Sequence, residues 1–297
     1  MMPNSSTRPF PVPVVAALSP AGLVEEDTLD YLTMPQGMAM YQPPILPKAD
    51  EVAARKGALR VLDEVLATLR RIHASVAAQR ETACITLSDL DHADLTLVNQ
   101  VLGEGEVSAQ VLSDAGVPLL EVQESVFAGV WRVRSTRSQG GLLDYIEVGA
   151  VPEALRLAAE IDGARGVAVP LTVPAQIMNV PGVLAELEEQ RRIWRAGERA
   201  HVVNLTLLPL THQDIAFLDY RLGTGRVLIL SRGYGNCRIT NCYLPNTWRV
   251  VYYNSMDTVI LNSIEVTDMP DVACAAPEDL GDSVARVQEV LQWVRQG

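Results

Sequence analysis

Apolar side chains recur every three or four positions through residues 59–76: Leu59, Leu62, Leu66, Leu69 and Val76, with His73 in the same row. That is the period of one helix face, and lysine and arginine fill the rest of the turns. The pattern predicts a long helix over residues 50–80, weakened in its first turns by Gly57. Such a stripe packs either on the chain's own core or on a partner helix. Further on, the period shortens. Runs rich in Val, Ile, Tyr and Trp predict strands at 106–112, 119–123, 126–134 and 142–148, and again at 226–231, 236–243, 247–253 and 258–266. Leading strands are expected at 84–88 and 202–208, and helices at 184–194 and 278–296.

The two series of strands follow two similar helices. Residues 90–107, LDHADLTLVNQVLGEGEV, align with 210–227, LTHQDIAFLDYRLGTGRV, at a constant offset of 120. Leu90, His92, Asp94, Leu102, Gly103, Gly105 and Val107 recur as Leu210, His212, Asp214, Leu222, Gly223, Gly225 and Val227. WRV at 131–133 returns at 248–250, and IEV at 146–148 returns at 264–266. Asp91 and Thr211 are placed to cap these helices, with Asp94 and Asp214 three residues on in a capping-box position. Leu95, Val98 and Leu102 form the first apolar stripe, and Ile215, Leu218 and Leu222 the second. Gly103 and Gly223 follow as residues able to take positive φ at a helix end. The expected fold is α+β, a tandem duplication of a helix plus antiparallel-sheet unit. The long helix and an extended N-terminal arm precede it. The corresponding division is an arm over 1–49, the long helix over 50–80, repeat one over 81–165, and a connector with repeat two over 166–297. A pseudo-twofold pair and one continuous sheet are both compatible with the pattern.

Composition narrows the class of partner. The chain has 297 residues, 48% hydrophobic and 20% charged, which suits a globular protein with a substantial core. Its 24 basic and 36 acidic residues give a formal charge of -12, which argues against nucleic acid or an anionic membrane surface as partner. Residues 1–50 hold nine of the 18 prolines, so long helices and central strands are not expected there. Within that arm, TMPQGMAMYQPP at 33–44 is either a loose tail or a docking strip. Its candidate contact residues are Met34, Pro35, Gln36, Gly37, Met38 and Tyr41. Prolines 11, 13 and 20 interrupt the apolar N-terminal stretch, and no run of about 20 apolar residues is present, so export and membrane insertion are not expected.

Candidate chemistry is sparse. Both Gly-x-Gly pairs follow a helix, whereas a phosphate loop precedes one, so helix termination explains them. His73, His92, His201 and His212 are scattered, and none lies beside an evident nucleophile. The four cysteines, Cys84, Cys237, Cys242 and Cys274, are too few for a disulfide-built fold. Cys237 and Cys242 are separated by four residues and would face opposite sides of an unbulged strand. They read as buried structural thiols, with metal contact or redox activity as alternatives. Gly233, Tyr234, Gly235 and Asn236 form either an ordinary hairpin turn or a binding turn that exposes the tyrosine ring.

GYGNCRIT, WRVVYYNS, LNSIEV and MPDVACAAPEDL, within residues 233–280, resemble the C-terminal region of the HupH/HyaF/HoxQ family of hydrogenase expression proteins. MPQGMAMYQPP resembles the family's N-terminal segment. In that family the C-terminal region is present twice. Cys242 stands where no family cysteine is expected, so a shared thiol role would rest on Cys237 and Cys274. The resemblance implies a cytoplasmic, non-enzymatic chaperone for maturation of an uptake [NiFe]-hydrogenase. Its implied partner is the iron–sulfur small-subunit precursor, held before export, beside a thioredoxin-like accessory protein. No cofactor is implied for the chaperone itself. The alternative reading is an iron–sulfur or metal carrier using Cys237 and Cys274.

Overall fold

The structure, a computed structural model, describes residues 55–74, 81–136, 141–166, 173–233 and 235–296. Ten antiparallel strands make one sheet in the order β1-β5-β4-β3-β2-β7-β8-β9-β10-β6. In chain order, α1 (Lys56–His73), β1 (Ala83–Thr86), α2 (His92–Leu102), β2 (Val107–Leu112), β3 (Pro118–Glu124), β4 (Val130–Thr136), β5 (Leu142–Val148) and α3 (Glu153–Arg165) form the first half. The second half runs α4 (Val180–Ile193), β6 (His201–Asn204), α5 (His212–Leu222), β7 (Val227–Ser231), β8 (Asn236–Asn241), β9 (Thr247–Tyr253), β10 (Val259–Val266) and α6 (Pro277–Gln296). The α+β class read from the periodicities is the class observed.

The halves join strand to strand. Ala109 pairs with Ile229, the residue 120 positions on, and Val107 and Val111 pair with Ser231 and Val227. The register is therefore nearly self-symmetric. The two arrangements left open by the sequence coexist as a continuous sheet with an approximate twofold at the β2–β7 seam.

One arginine contact recurs in both halves. Arg132 on β4 forms an ion pair with Asp144 on β5, and its Nη1 donates to Asn99 Oδ1 on α2 at 2.6 Å. At the matching place, Arg249 on β9 donates to Asn262 Oδ1 on β10 at 2.6 Å and to Asp219 Oδ1 on α5 at 2.9 Å. Acid and amide have exchanged elements between the halves. Each guanidinium keeps one carboxylate and one neutral acceptor, which a partly buried cation requires.

Three apolar clusters hold the layers together. Residues of α1, α2 and α6 pack with Ile85, Phe127, Ile146 and Val148. Residues of α4 and α5 pack with Val203, Cys242, Ile264 and Val266. The opposite face of the central strands buries Trp131, Val133, Trp248 and Val250 against Val151, Leu155 and Ala158 at and before α3, and against Met269 and Ala273. Alternation along β4 and β9 makes this possible, since neighbouring side chains leave by opposite faces.

Several boundaries differ from expectation. The buried face of α1 is Ala58, Val61, Leu62, Val65, Leu66, Leu69 and Ile72. Leu59 is half-buried and His73 is exposed. The face turns and broadens because both α2 and α6 cover this helix. The strand expected over 202–208 stops at Asn204, whose side chain accepts the Thr206 N–H at 3.0 Å and opens a short 3-10 turn over Leu205–Leu207. The strand expected from 126 starts at Val130, because Ser125 N–H bonds Val130 O at 2.8 Å and Gly129, at φ +80°, closes the turn. Helix α4 begins at Val180, inside the stretch read as connector, with proline in its first turn where the missing donor costs nothing.

Candidate functional site

Two related sites lie where the helix that ends one half meets the start of β2 or β7 and the turn after β3 or β8 in the other. Each starts from a Gly-x-Gly pair. Gly103 and Gly223 sit at φ +55° and +65° and end α2 and α5. The second glycine has a different reason. Gly105 N–H bonds Glu124 O, and Gly225 N–H bonds Asn241 O, both at 2.7 Å. A Cβ on Gly105 would lie 2.3 Å from the Ser125 carbonyl oxygen, so close backbone approach requires glycine there.

In the second half this frame is filled. Asp162, from α3 of the first half, is fully buried. It accepts from Arg226 N–H and Nε at 2.7 Å each, and from Asn241 Nδ2 at 3.1 Å. Asn241 Oδ1 in turn accepts the Val227 N–H at 2.9 Å. Burial opposes ionisation of Asp162, but the donors of Arg226 and Asn241 outweigh it and hold the carboxyl below the usual range.

In the first half the corresponding residues are acids. Glu106 stands at the position of Arg226, and Glu124 at that of Asn241. The covering helix is α6, which brings Asp279 and Asp282. These residues border a cavity of about 530 Å³, together with Gly233, Cys274 and Arg286. Glu124 is 8% exposed, while Glu106, Asp279 and Asp282 are exposed. Burial, with repulsion from Glu106 and Asp279, pushes the Glu124 carboxyl up to about 7, although the amides of Val107 and Gly129 donate to it. Arg286 Nη1 donates to Val126 O at 3.0 Å, and its guanidinium lies 5.4 Å from the Phe127 ring centre.

A folded-state value near 7 against about 4.3 unfolded means that the folded protein takes up a proton between those limits. Stability is then fullest below about pH 4.3 and declines as pH rises through 7. Glu265, pushed to about 7 by burial and by Asp271, acts in the same direction. Glu124→Gln is expected to flatten that decline, leaving the variant more stable than wild type at pH 8 by on the order of 2–3 kcal/mol. Urea unfolding at pH 5 and pH 8 measures it. Equal pH slopes in both proteins would contradict a carboxyl raised by burial.

The sequence-flagged residues are only partly brought together. Gly233 and Cys274 border the first-half cavity. A Cβ on Gly233 would lie 2.2 Å from Glu106 Oε2, so this glycine makes room for the acid. Asn236 begins β8, and Gly235 stands at φ +101° just before it. Tyr234 lies outside the described residues, as do Met34, Pro35, Gln36, Gly37, Met38 and Tyr41. Cys237 and Cys242 fall in the apolar clusters on opposite faces of the sheet. Cys274 packs at the margin of the cluster that holds Cys237, and its thiol approaches Pro270 O at 3.5 Å. Burial is the main cause that pushes Cys237, Cys242 and Cys274 each up to about 12. A thiol so raised is a poor nucleophile at neutral pH. No group of three or more His, Cys, Asp or Glu is arranged to hold a metal ion among the described residues. Glu106, Glu124 and Asp279 were not visible as a site from sequence; the one available signal was the reversal from Arg226 to Glu106 within the repeated block.

A disulfide reagent at pH 8 is expected to label the exposed Cys84 first, the half-buried Cys274 more slowly, and Cys237 and Cys242 only on unfolding. Labelling of Cys237 or Cys274 at the rate of Cys84 would restore the carrier reading.

These features define a twofold α+β scaffold with buried thiols and an acidic, helix-covered cavity. The HupH hydrogenase expression protein C-terminal conserved region matches the chain twice, over residues 56–167 and 177–294, and the chain belongs to that family. It is 51% identical over 285 residues to the hydrogenase expression/formation protein HoxQ of Cupriavidus necator, covering 96% of this chain and 98% of that protein. It is 43% identical over 270 residues to the hydrogenase expression/formation protein HupH of Rhodobacter capsulatus, covering 91% and 93%. A solved structure of the hydrogenase expression protein HupH from Thiobacillus denitrificans is 25% identical and aligns at a TM-score of 0.35, over 38% of this chain and 93% of that one. No helix among the described residues is long and apolar enough to cross a membrane.

Proposed function

We propose that this protein is a non-enzymatic accessory of [NiFe]-hydrogenase maturation that binds the iron–sulfur small-subunit precursor in the cytoplasm before export. The observation that carries the reading is the 51% identity, over nearly the whole of both chains, to a protein named for hydrogenase expression and formation. The site chemistry supports a binding role. The three most buried thiols are raised far above neutrality, and the carboxylates of the first-half cavity face an arginine engaged by Val126 and Phe127 rather than a nucleophile. A thioredoxin-like maturation protein is proposed as a second partner in the same complex. The carrier reading through Cys237 and Cys274 has less support, because Cys237 is fully buried in an apolar cluster and Cys274 packs against the same cluster.

Affinity purification of the full chain from a hydrogenase-producing host is expected to recover the unprocessed small subunit. Recovery of no hydrogenase subunit by a folded, soluble bait would overturn the proposal.

A further inference from the structure

We infer that the first-half cavity receives an arginine side chain from the partner polypeptide, seated on Glu106, Glu124 and Asp279. The molecule itself supplies the template. In the second half, the same frame of glycine, strand start and turn holds the guanidinium of Arg226 on the buried carboxylate of Asp162. In the first half the arginine is replaced by Glu106 and the amide by Glu124, while Asp279 and Asp282 come in from α6. Val107 N–H donates to Glu124 as Val227 N–H donates to Asn241, so the two frames correspond down to the backbone donor. Where the closed site balances its charges, the described residues that line the open one include four acids and one arginine, Arg286. That arginine is turned to the Val126 carbonyl and the Phe127 ring. The space is also present: about 530 Å³, against roughly 300–1,000 Å³ for typical small-ligand sites.

Guanidinium suits this donor-poor site better than ammonium. Its planar fork bonds carboxylates in pairs, and it is less strongly hydrated. Glu124 at the floor and Glu106 and Asp279 at the rim let the head enter while the aliphatic stem lies along Val126, Ala128 and Val272. Identification of the donor as a maturation partner rests on the function proposed above; the chemistry of the cavity does not.

The test uses the full chain with N-acetyl-arginine amide as probe, followed by NMR. N-acetyl-citrulline amide is the neutral control. The arginine probe is expected to bind in the millimolar range, at least tenfold more tightly than the citrulline probe. The double variant Glu106→Gln/Asp279→Asn changes two exposed side chains, so it is expected to keep the wild-type melting temperature while losing tenfold or more in affinity. It should also recover less small-subunit precursor. Equal binding of the two probes, or undiminished binding by the folded double variant, would overturn the inference. So would wild-type recovery of precursor by that variant, which would leave the maturation reading standing. Selective arginine binding with no hydrogenase subunit recovered by the wild type would instead sink the maturation reading and keep the guanidinium site.

Discussion

Asp162→Ala is expected to destabilise the fold by about 3–5 kcal/mol, the range seen when one member of a buried ion pair is removed. Asp162 is 0% exposed and takes three hydrogen bonds, two from Arg226 and one from Asn241. Without it, the guanidinium and the amide lose their acceptor while staying covered by α3. The effect reaches both halves, because the acid belongs to the first and its donors to the second. Asp162→Leu combined with Arg226→Met is expected to recover only part of the loss: the apolar pair leaves no stranded charge, but the Asn241 Nδ2 and the backbone N–H of residue 226 still lack their acceptor. Acid sensitivity follows from the lowered carboxyl. The stabilisation is present above the unfolded value, about 3.9, and is lost as pH falls through the folded one. Urea unfolding at pH 7 measures these differences. A loss below about 1 kcal/mol for Asp162→Ala would show that the pair contributes no more than an exposed one.

Trp248→Ala and Trp131→Ala are each expected to cost about 3–5 kcal/mol, which for a chain of this size lowers the melting temperature by about 5–8 °C. Both indoles are 1% exposed in the same cluster under α3. Each also satisfies a carbonyl: Trp131 Nε1 donates to Gly149 O at 2.9 Å, and Trp248 Nε1 to Thr267 O at 3.1 Å. Truncation therefore opens a cavity and strands a buried acceptor. Phenylalanine at either position keeps most of the volume and loses only the bond, so about 1–2 kcal/mol is expected. Thermal melts of the four variants separate the two contributions. Alanine and phenylalanine variants with equal melting temperatures would contradict the packing account.

Much of the local structure is legible in short-range pattern. Thr211 and Asp214 form the reciprocal capping box that their spacing implies, and Asp91 accepts the Asp94 N–H at 2.7 Å. Val98, Leu102, Leu218 and Leu222 are buried as the helical period requires. Misplaced boundaries arise where a distant contact intervenes. His73 is exposed, with its ring at the edge of the α1–α6 contact beside Gly281, and β6 stops early because the Asn204 side chain captures a following amide. The candidate site was the least legible part. Glu106, Glu124 and Asp279 are spread over more than 170 positions of sequence and meet only when α6 returns across the first half. Gly233 and Cys274, flagged separately, turn out to border one cavity.

By itself the sequence determined the elements, their order, the repeated blocks and the excess of acid, because caps, periodicity and charge act within a few residues along the chain. Only the tertiary structure decided that β2 pairs with β7 in a nearly self-symmetric register, and that each half is covered by a helix from the other. It also decided that one of two equivalent frames is closed by an internal arginine while the other is left acidic and open. Those outcomes depend on surfaces more than sixty residues apart finding complementary shape and charge, and no local propensity encodes that.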